Sequence, residues 1–387
     1  MYNEDVLNTA TIEGMLAAEG EKWHRDPPDV IPMWLADPDF PTAPFIKKAL
    51  INAVQDEDFL YNAPSNLRTR EVMAEKINRK NGLKLTRDNL YITQGVNPSM
   101  WIAIQYAAKP GDEIVVTDPM YHPFYAAVEV CKTKPVYWKL HEEEGYKFDI
   151  ESLKNVVTDK TRLIFVCNPH NPSGRVLTKE ELKGIADVAV DNKITVMVDE
   201  LWEDIVYDNR PHISLASLSP EISDLTITAW GISKTWGLPG LQCGYLGSTN
   251  KQMMDTITKS ARGILRGTST LSLVAARSAL DRHSEYWIRD IMKHLHNIRG
   301  IATKRFTEMG CTVPELQGTY LLFPRFNVKM THDELYKLIF EKAKVSLGTG
   351  TEFGPEGTMH LRMTIATSEA ILNEALDRIE RTLKTVQ

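Results

Sequence analysis

Six short runs in the middle of the chain, at 90–93, 113–117, 162–167, 194–199, 225–229 and 244–247, are mostly rich in Val, Ile and Thr and apolar at both odd and even positions. A strand with one wet face alternates apolar and polar residues, whereas a run apolar throughout needs cover on both sides. Helical patterns stand between several of these runs. In 178–190, for example, Leu182, Ile185 and Val188 recur at three-residue steps. This βαβ alternation predicts an α/β fold: a three-layer α/β/α domain around a mostly parallel sheet.

The C-terminal third has a different rhythm. A long helix is expected around 286–307, then short strands near 319–324 and 358–364. A final amphipathic helix follows, capped by Ser368, with Ile371, Leu372, Ala375, Leu376, Ile379 and Leu383 on one stripe. The expected division of the 387 residues is an N-terminal arm over 1–45 that packs with the small domain, a large domain over 46–284, and a small α+β domain over 285–387. The net charge is −6 and no block of five like charges occurs, which argues against a nucleic-acid tail or a polybasic membrane anchor. The N-terminus MYNEDVLNTA lacks the basic and apolar regions of a signal peptide, and no apolar run approaches the roughly 20 residues of a membrane span. The cysteines Cys131, Cys167, Cys243 and Cys311 are far apart and read as reduced, mostly buried thiols. A cytoplasmic protein is expected.

Chemistry concentrates where the strands end. In 227–247, ITAWGISKTWGLPGLQCGYLG, a strand runs into Ser233 and Lys234 and then a glycine-rich loop. An ammonium group at the end of a buried strand is costly. Lys234 is therefore either a desolvated, nucleophilic amine or a surface lysine in a loop. In 166–176, VCNPHNPSGRV, Asn171 stands where open α/β sheets place ligand groups, though Asn-Pro is also common turn chemistry. Asp199 ends an apolar strand and needs either a cationic partner or a helix to cap. Gly95, Val96 and Asn97 precede a helix start containing Pro98, an arrangement that presents backbone N–H groups to an anion. Tyr121, in DPMYHPFY, is either a ring-stacking residue or a core aromatic.

Taken in order, these segments resemble the fold-type I pyridoxal-phosphate (PLP) enzymes, the aspartate-aminotransferase-like superfamily, over essentially the whole chain. Arg362, in HLRMTIA, completes the set. The resemblance implies that Lys234 holds the cofactor as a Schiff base and later serves as the base at Cα. It implies that Asp199 pairs with the ring nitrogen, Asn171 bonds the ring 3'-oxygen and Tyr121 stacks on the ring. Gly95, Val96, Asn97 and Ser233 receive the phosphate. Arg362 clamps the substrate carboxylate, as suits a planar guanidinium. Tyr61, in FLYNAP, matches a tyrosine that reaches the phosphate of a neighbouring subunit, which implies a homodimer with shared active sites.

The segment 22–44, KWHRDPPDVIPMWLADPDFPTAP, is similar to the N-terminal signature of the MalY/PatB-type cystathionine β-lyases, the C–S lyases. It brings Trp34 and Ala36 to the expected substrate side. Gly95-Val96 with Pro98, the YHPF at 121–124, Trp287, Asn297 and Gln242 in place of a phosphate-binding arginine agree with that branch. Trp202, Gly231 and Gly237 depart from the usual pattern, and Trp202 is expected either to bond the 3'-oxygen or to wall the pocket. The implied activity is α,β-elimination from a sulfur amino acid to pyruvate, ammonia and a thiol. An aminotransferase is the alternative, with Arg262 and Arg266 as candidates for a second carboxylate. A non-catalytic regulatory protein would not need Lys234, Asp199, Asn171 and Arg362 together. No GxGxxG after a strand, P-loop or HExxH occurs, no metal is expected, and His294 and His296 read as solvent-facing.

Overall fold

The computed structural model describes residues 4–265 and 267–386. All six apolar runs form strands, and a seventh joins them. In chain order they are β1 (Leu90–Gln94), β2 (Glu113–Asp118), β3 (Lys134–Lys139), β4 (Thr161–Cys167), β5 (Thr195–Asp199), β6 (Thr226–Gly231) and β7 (Cys243–Gly247). They build one sheet in the order β1-β7-β6-β5-β4-β2-β3. Only β7 runs against its neighbours. The sequence reading missed β3 because KPVYWK lies on the sheet edge, largely exposed and containing Pro135, so it lacks the continuous apolar signal of a central strand.

Helices cover both faces. Lys179–Asn192 begins in a capping box between Thr178 and Glu181, and Asn97–Ala107 and Pro123–Val130 follow β1 and β2. Because β1, β2, β4, β5 and β6 all point the same way, their C-terminal ends open along one edge of the sheet. Asp199 ends β5, and Gly95, Tyr121, Asn171 and Lys234 lie just beyond the other strand ends, in the crevice where open α/β sheets hold ligands.

In the C-terminal third, helix Glu285–Glu308 leads to a three-stranded antiparallel sheet of Gly348–Thr349, Leu361–Thr364 and Leu321–Leu322. Ser368 caps helix Glu369–Leu383 through the Ile371 amide. The arm lies against this region: Ile31–Pro32 pairs with Val345–Ser346, and Met33 O accepts from Thr364 N at 2.8 Å. A buried ion pair of Lys22 with Asp39 (2.9 Å), joined by Trp23 Nε1 (2.8 Å), anchors the arm and fixes Trp34–Asp37 over the sheet edge. The four cysteines are buried free thiols. One expectation fails: His294 is not solvent-facing. It is half-buried, bonds Thr367 O at 2.9 Å and meets Phe40 edge-on, because its side of the helix turns toward the C-terminal strands. Among the described residues no helix is long and apolar enough to cross a membrane.

Candidate active site

The strand ends and the arm enclose a cavity of about 720 Å³. Of the residues singled out from the sequence, Trp34, Ala36, Gly95, Val96, Asn97, Tyr121, Asn171, Asp199, Trp202, Ser233, Lys234, Gln242 and Arg362 all line it. Tyr61 does not join the cavity of its own chain. It is fully exposed at the rim of a separate hollow with Arg70 and Arg262. Arg266 lies outside the described residues.

Lys234 follows β6 and donates from Nζ to Ala36 O at 2.6 Å. Burial lowers its amine to about 8; Arg362 adds to the effect, while Asp37 and Asp199 oppose it. The amine is thereby brought near the nucleophilic range. Asp199, at the end of β5, is pushed up to about 6 by burial, against a hydrogen bond from the Leu201 amide (2.9 Å) and the nearby Lys234 charge. It caps a turn rather than a helix, and a cation beside it would restore its ionised form.

Arg362 reaches in from the C-terminal sheet. Its Nη1 donates to Asn171 Oδ1 (3.1 Å) and its Nη2 to Trp34 O (2.9 Å), and its guanidinium lies 4.6 Å from the Phe353 ring centre. Nε is buried with no partner among the described residues. Burial lowers its pKa to about 10, so it stays a cation at neutral pH. Each Nη keeps one N–H free for a ligand carboxylate.

The turn after β1 is built for close approach. Gly95 has φ +79°, and a Cβ there would meet nothing within 4 Å, so that side is open. Behind it a Cβ on Gly244 would come within 2.4 Å of the Gly95 carbonyl, which only glycine permits. Gly95 N bonds Gln242 O at 3.1 Å. Gly237, at φ +61°, packs where a Cβ would press on Pro38 at 3.0 Å, which accounts for glycine there. Trp202 packs edge-on to Tyr320 (4.7 Å between centres) and lies 5.7 Å from Lys234 Nζ.

Sequence reasoning overlooked Asp37, whose charge acts on Lys234, Phe353 under the Arg362 guanidinium, and the outer rim of Arg25, Tyr336 and Glu352. Asp37 sits in the ADPDF segment already flagged. The rim residues come from distant loops and carry no motif.

The residue set fits pyridoxal phosphate: an open glycine turn at a helix start, a carboxyl in want of a cation, a lysine near neutrality and a guanidinium with spare donors. The comparisons agree. The chain belongs to the aminotransferase class I and II family, whose sequence profile matches residues 28–379. It is 31% identical over 362 residues to an aspartate aminotransferase of Pyrococcus horikoshii (92% of this chain, 91% of that protein). It is 28% identical over 390 residues to cystathionine beta-lyase PatB of Bacillus subtilis (97% and 100%). The solved structure of a PLP-bound putative aminotransferase from Clostridium difficile 630 superposes with a TM-score of 0.91 at 28% identity (98% and 100%). This chain is a PLP-dependent enzyme of the fold-type I class, a lyase or an aminotransferase.

Proposed function

We propose that the chain is a carbon–sulfur β-lyase, cleaving a sulfur amino acid to pyruvate, ammonia and a thiol. The observation that carries this reading is the apolar part of the cavity lining. It includes Trp34, Tyr121 and Leu347, which suits a thioether. The rim guanidinium of Arg25 is already engaged: it lies 3.5 Å from the Trp34 ring centre, bonds Asp26 at 3.1 and 3.2 Å and Ser346 at 2.9 Å. The exposed Glu352 carboxylate beside it disfavours a second substrate carboxylate. Similarity to PatB over nearly the whole chain, including the arm, supports the same reading.

Bound pyridoxal phosphate supplies a protonated ring that delocalises the electron pair left at Cα. In this reading Lys234 holds the cofactor covalently and afterwards takes the Cα proton. Asp199 keeps the ring nitrogen protonated. Asn171 and Trp202 bond the ring 3'-oxygen, and Tyr121 covers the ring face. Gly95 leaves the phosphate room to approach, and Val96, Asn97 and Ser233 hold it with neutral donors, since Gln242 brings no charge. Arg362 orients the α-carboxylate with its two free N–H groups, next to Ala36 and Trp34. The partner subunit completes the phosphate site through Tyr61 in a cytoplasmic homodimer.

The test incubates pure enzyme with cystathionine or an S-alkyl cysteine and no keto acid. Continuous pyruvate release with one equivalent of thiol is the expected result. Activity that depends on an added keto acid, with no pyruvate in its absence, would establish the aminotransferase instead.

A further inference from the structure

The histidines of this fold are mostly tied down. His170 bonds Ser173 at 2.7 Å, His360 bonds Tyr146 at 2.9 Å, and His332 bonds Thr349 at 2.6 Å. His122 is different. Among the described residues lining the cavity it is the imidazole, and it is exposed, so solvent can exchange its proton. Its backbone is fixed as the residue before helix Pro123–Val130. Its ring meets Tyr121 edge-on at 5.1 Å and Phe353 at 6.1 Å. Phe353 also carries the Arg362 guanidinium at 4.6 Å. Imidazole and guanidinium thus share one aromatic platform. A sulfur atom in an amino-acid side chain lies three bonds, about 4 Å, from its carboxylate carbon. Both residues line the same cavity, so a substrate whose carboxylate is held by Arg362 can bring its sulfur toward His122.

We propose that His122 is the acid that protonates the departing sulfur, a role that rests on the lyase reading above. Lys234 takes the Cα proton, and that C–H pair becomes the second Cα–Cβ bond. The Cβ–S pair leaves with sulfur, which takes the imidazolium proton and departs as a thiol. His122 is left neutral and Lys234 protonated, so solvent closes the cycle by carrying one proton from the lysine to the imidazole. Water then converts the enamine product to pyruvate and ammonia. The free site holds the imidazole below its usual value, through desolvation first and the Arg362 charge second. A substrate carboxylate neutralises Arg362 and so removes the second of these two causes, which favours the imidazolium when the leaving group arrives.

The experiment compares His122→Asn and His122→Gln with the parent on S-methylcysteine, whose thiolate needs a proton, and on β-chloroalanine, whose chloride does not. General acid catalysis contributes about 10²–10⁴-fold. The expected loss of kcat on the thioether is therefore at least about tenfold greater than on the chloride, and thioether turnover becomes steeply dependent on the thiol's acidity. An equal loss on both substrates, or no loss on the thioether, overturns the role of His122. If the parent enzyme releases no pyruvate from either substrate without a keto acid, the lyase reading itself has failed and the proposal falls with it.

Discussion

At the scale of single residues, the site works by pushing two groups away from their usual ionisation. Burial lowers the Lys234 amine to about 8, and only the neutral amine attacks an aldehyde. The rate of covalent PLP uptake by cofactor-free protein should therefore rise as pH climbs through about 8 and level off above it. Stopped-flow absorbance checks this, and a flat profile would show that Lys234 is not the group captured. Arg362→Lys keeps a cation but loses the planar fork. A charge-assisted hydrogen bond contributes about 1.5–3 kcal/mol, so KM for amino-acid substrates should rise about 10- to 100-fold, with a smaller change in kcat. Trp202→Phe keeps the ring and removes the N–H. A shift in the visible absorption of the bound cofactor is expected, and an unchanged spectrum would rule out its bond to the 3'-oxygen.

At the scale of elements, the strand ends are held by a polar network that no motif announces. Glu200, next to Asp199, accepts Asn81 Nδ2 (2.9 Å) and Trp230 Nε1 (3.0 Å). Glu203 takes Asn81 (2.7 Å) and Lys76. Asp204 takes Lys80, lies 3.6 Å from Lys76, and accepts Thr235 Oγ1 at 3.2 Å. Helix Ala63–Asn81 thereby grips the segment after Asp199, and Asp204 of that segment in turn holds the residue after Lys234. Glu200, Glu203 and His212 bring ligand atoms within 4.8 Å of one another, but Lys76, Asn81 and Trp230 already hold the two carboxylates. Removing one partner of a buried pair leaves an uncompensated charge and costs about 3–5 kcal/mol. Asp204→Ala should lose stability on that scale in denaturant unfolding; a change under 1 kcal/mol would contradict the network's role. Lys76 and Lys80 hold the Asp204 carboxylate far below its usual 3.8 despite burial. Its contribution is therefore present above that value and fades only as the solution becomes more acid.

At the scale of the whole molecule, Ile51, Val54, Phe59, Leu60, Tyr61 and Ile264 leave apolar surface exposed on one chain. Such a surface is what an association face requires. The proposed homodimer predicts complementation. Lys234→Ala and Tyr61→Ala are each expected to be impaired, while hybrids of the two contain one site with both residues intact. Mixing the variants after mild dissociation should restore activity. A mixture no more active than its parts would show that Tyr61 does not serve a neighbour's site.

The chain's local patterns determined most of the sheet and the capped helices Lys179–Asn192 and Glu369–Leu383, and its ordered motifs, through their resemblance to a family, singled out Lys234, Asp199, Asn171 and Arg362, which meet in one cavity. Apolar periodicity, caps and residues placed at strand ends are short-range signals, and they survive without a partner element. The tertiary structure decided what depends on distant segments meeting. It set the amine of Lys234 against Ala36 of the arm, Arg362 over Phe353, and His122 on that same ring. It also gave β3 its place at the edge and His294 its carbonyl partner. Burial and proximity set the charge of each group, and neither can be read from residues hundreds of positions apart until the fold brings them together.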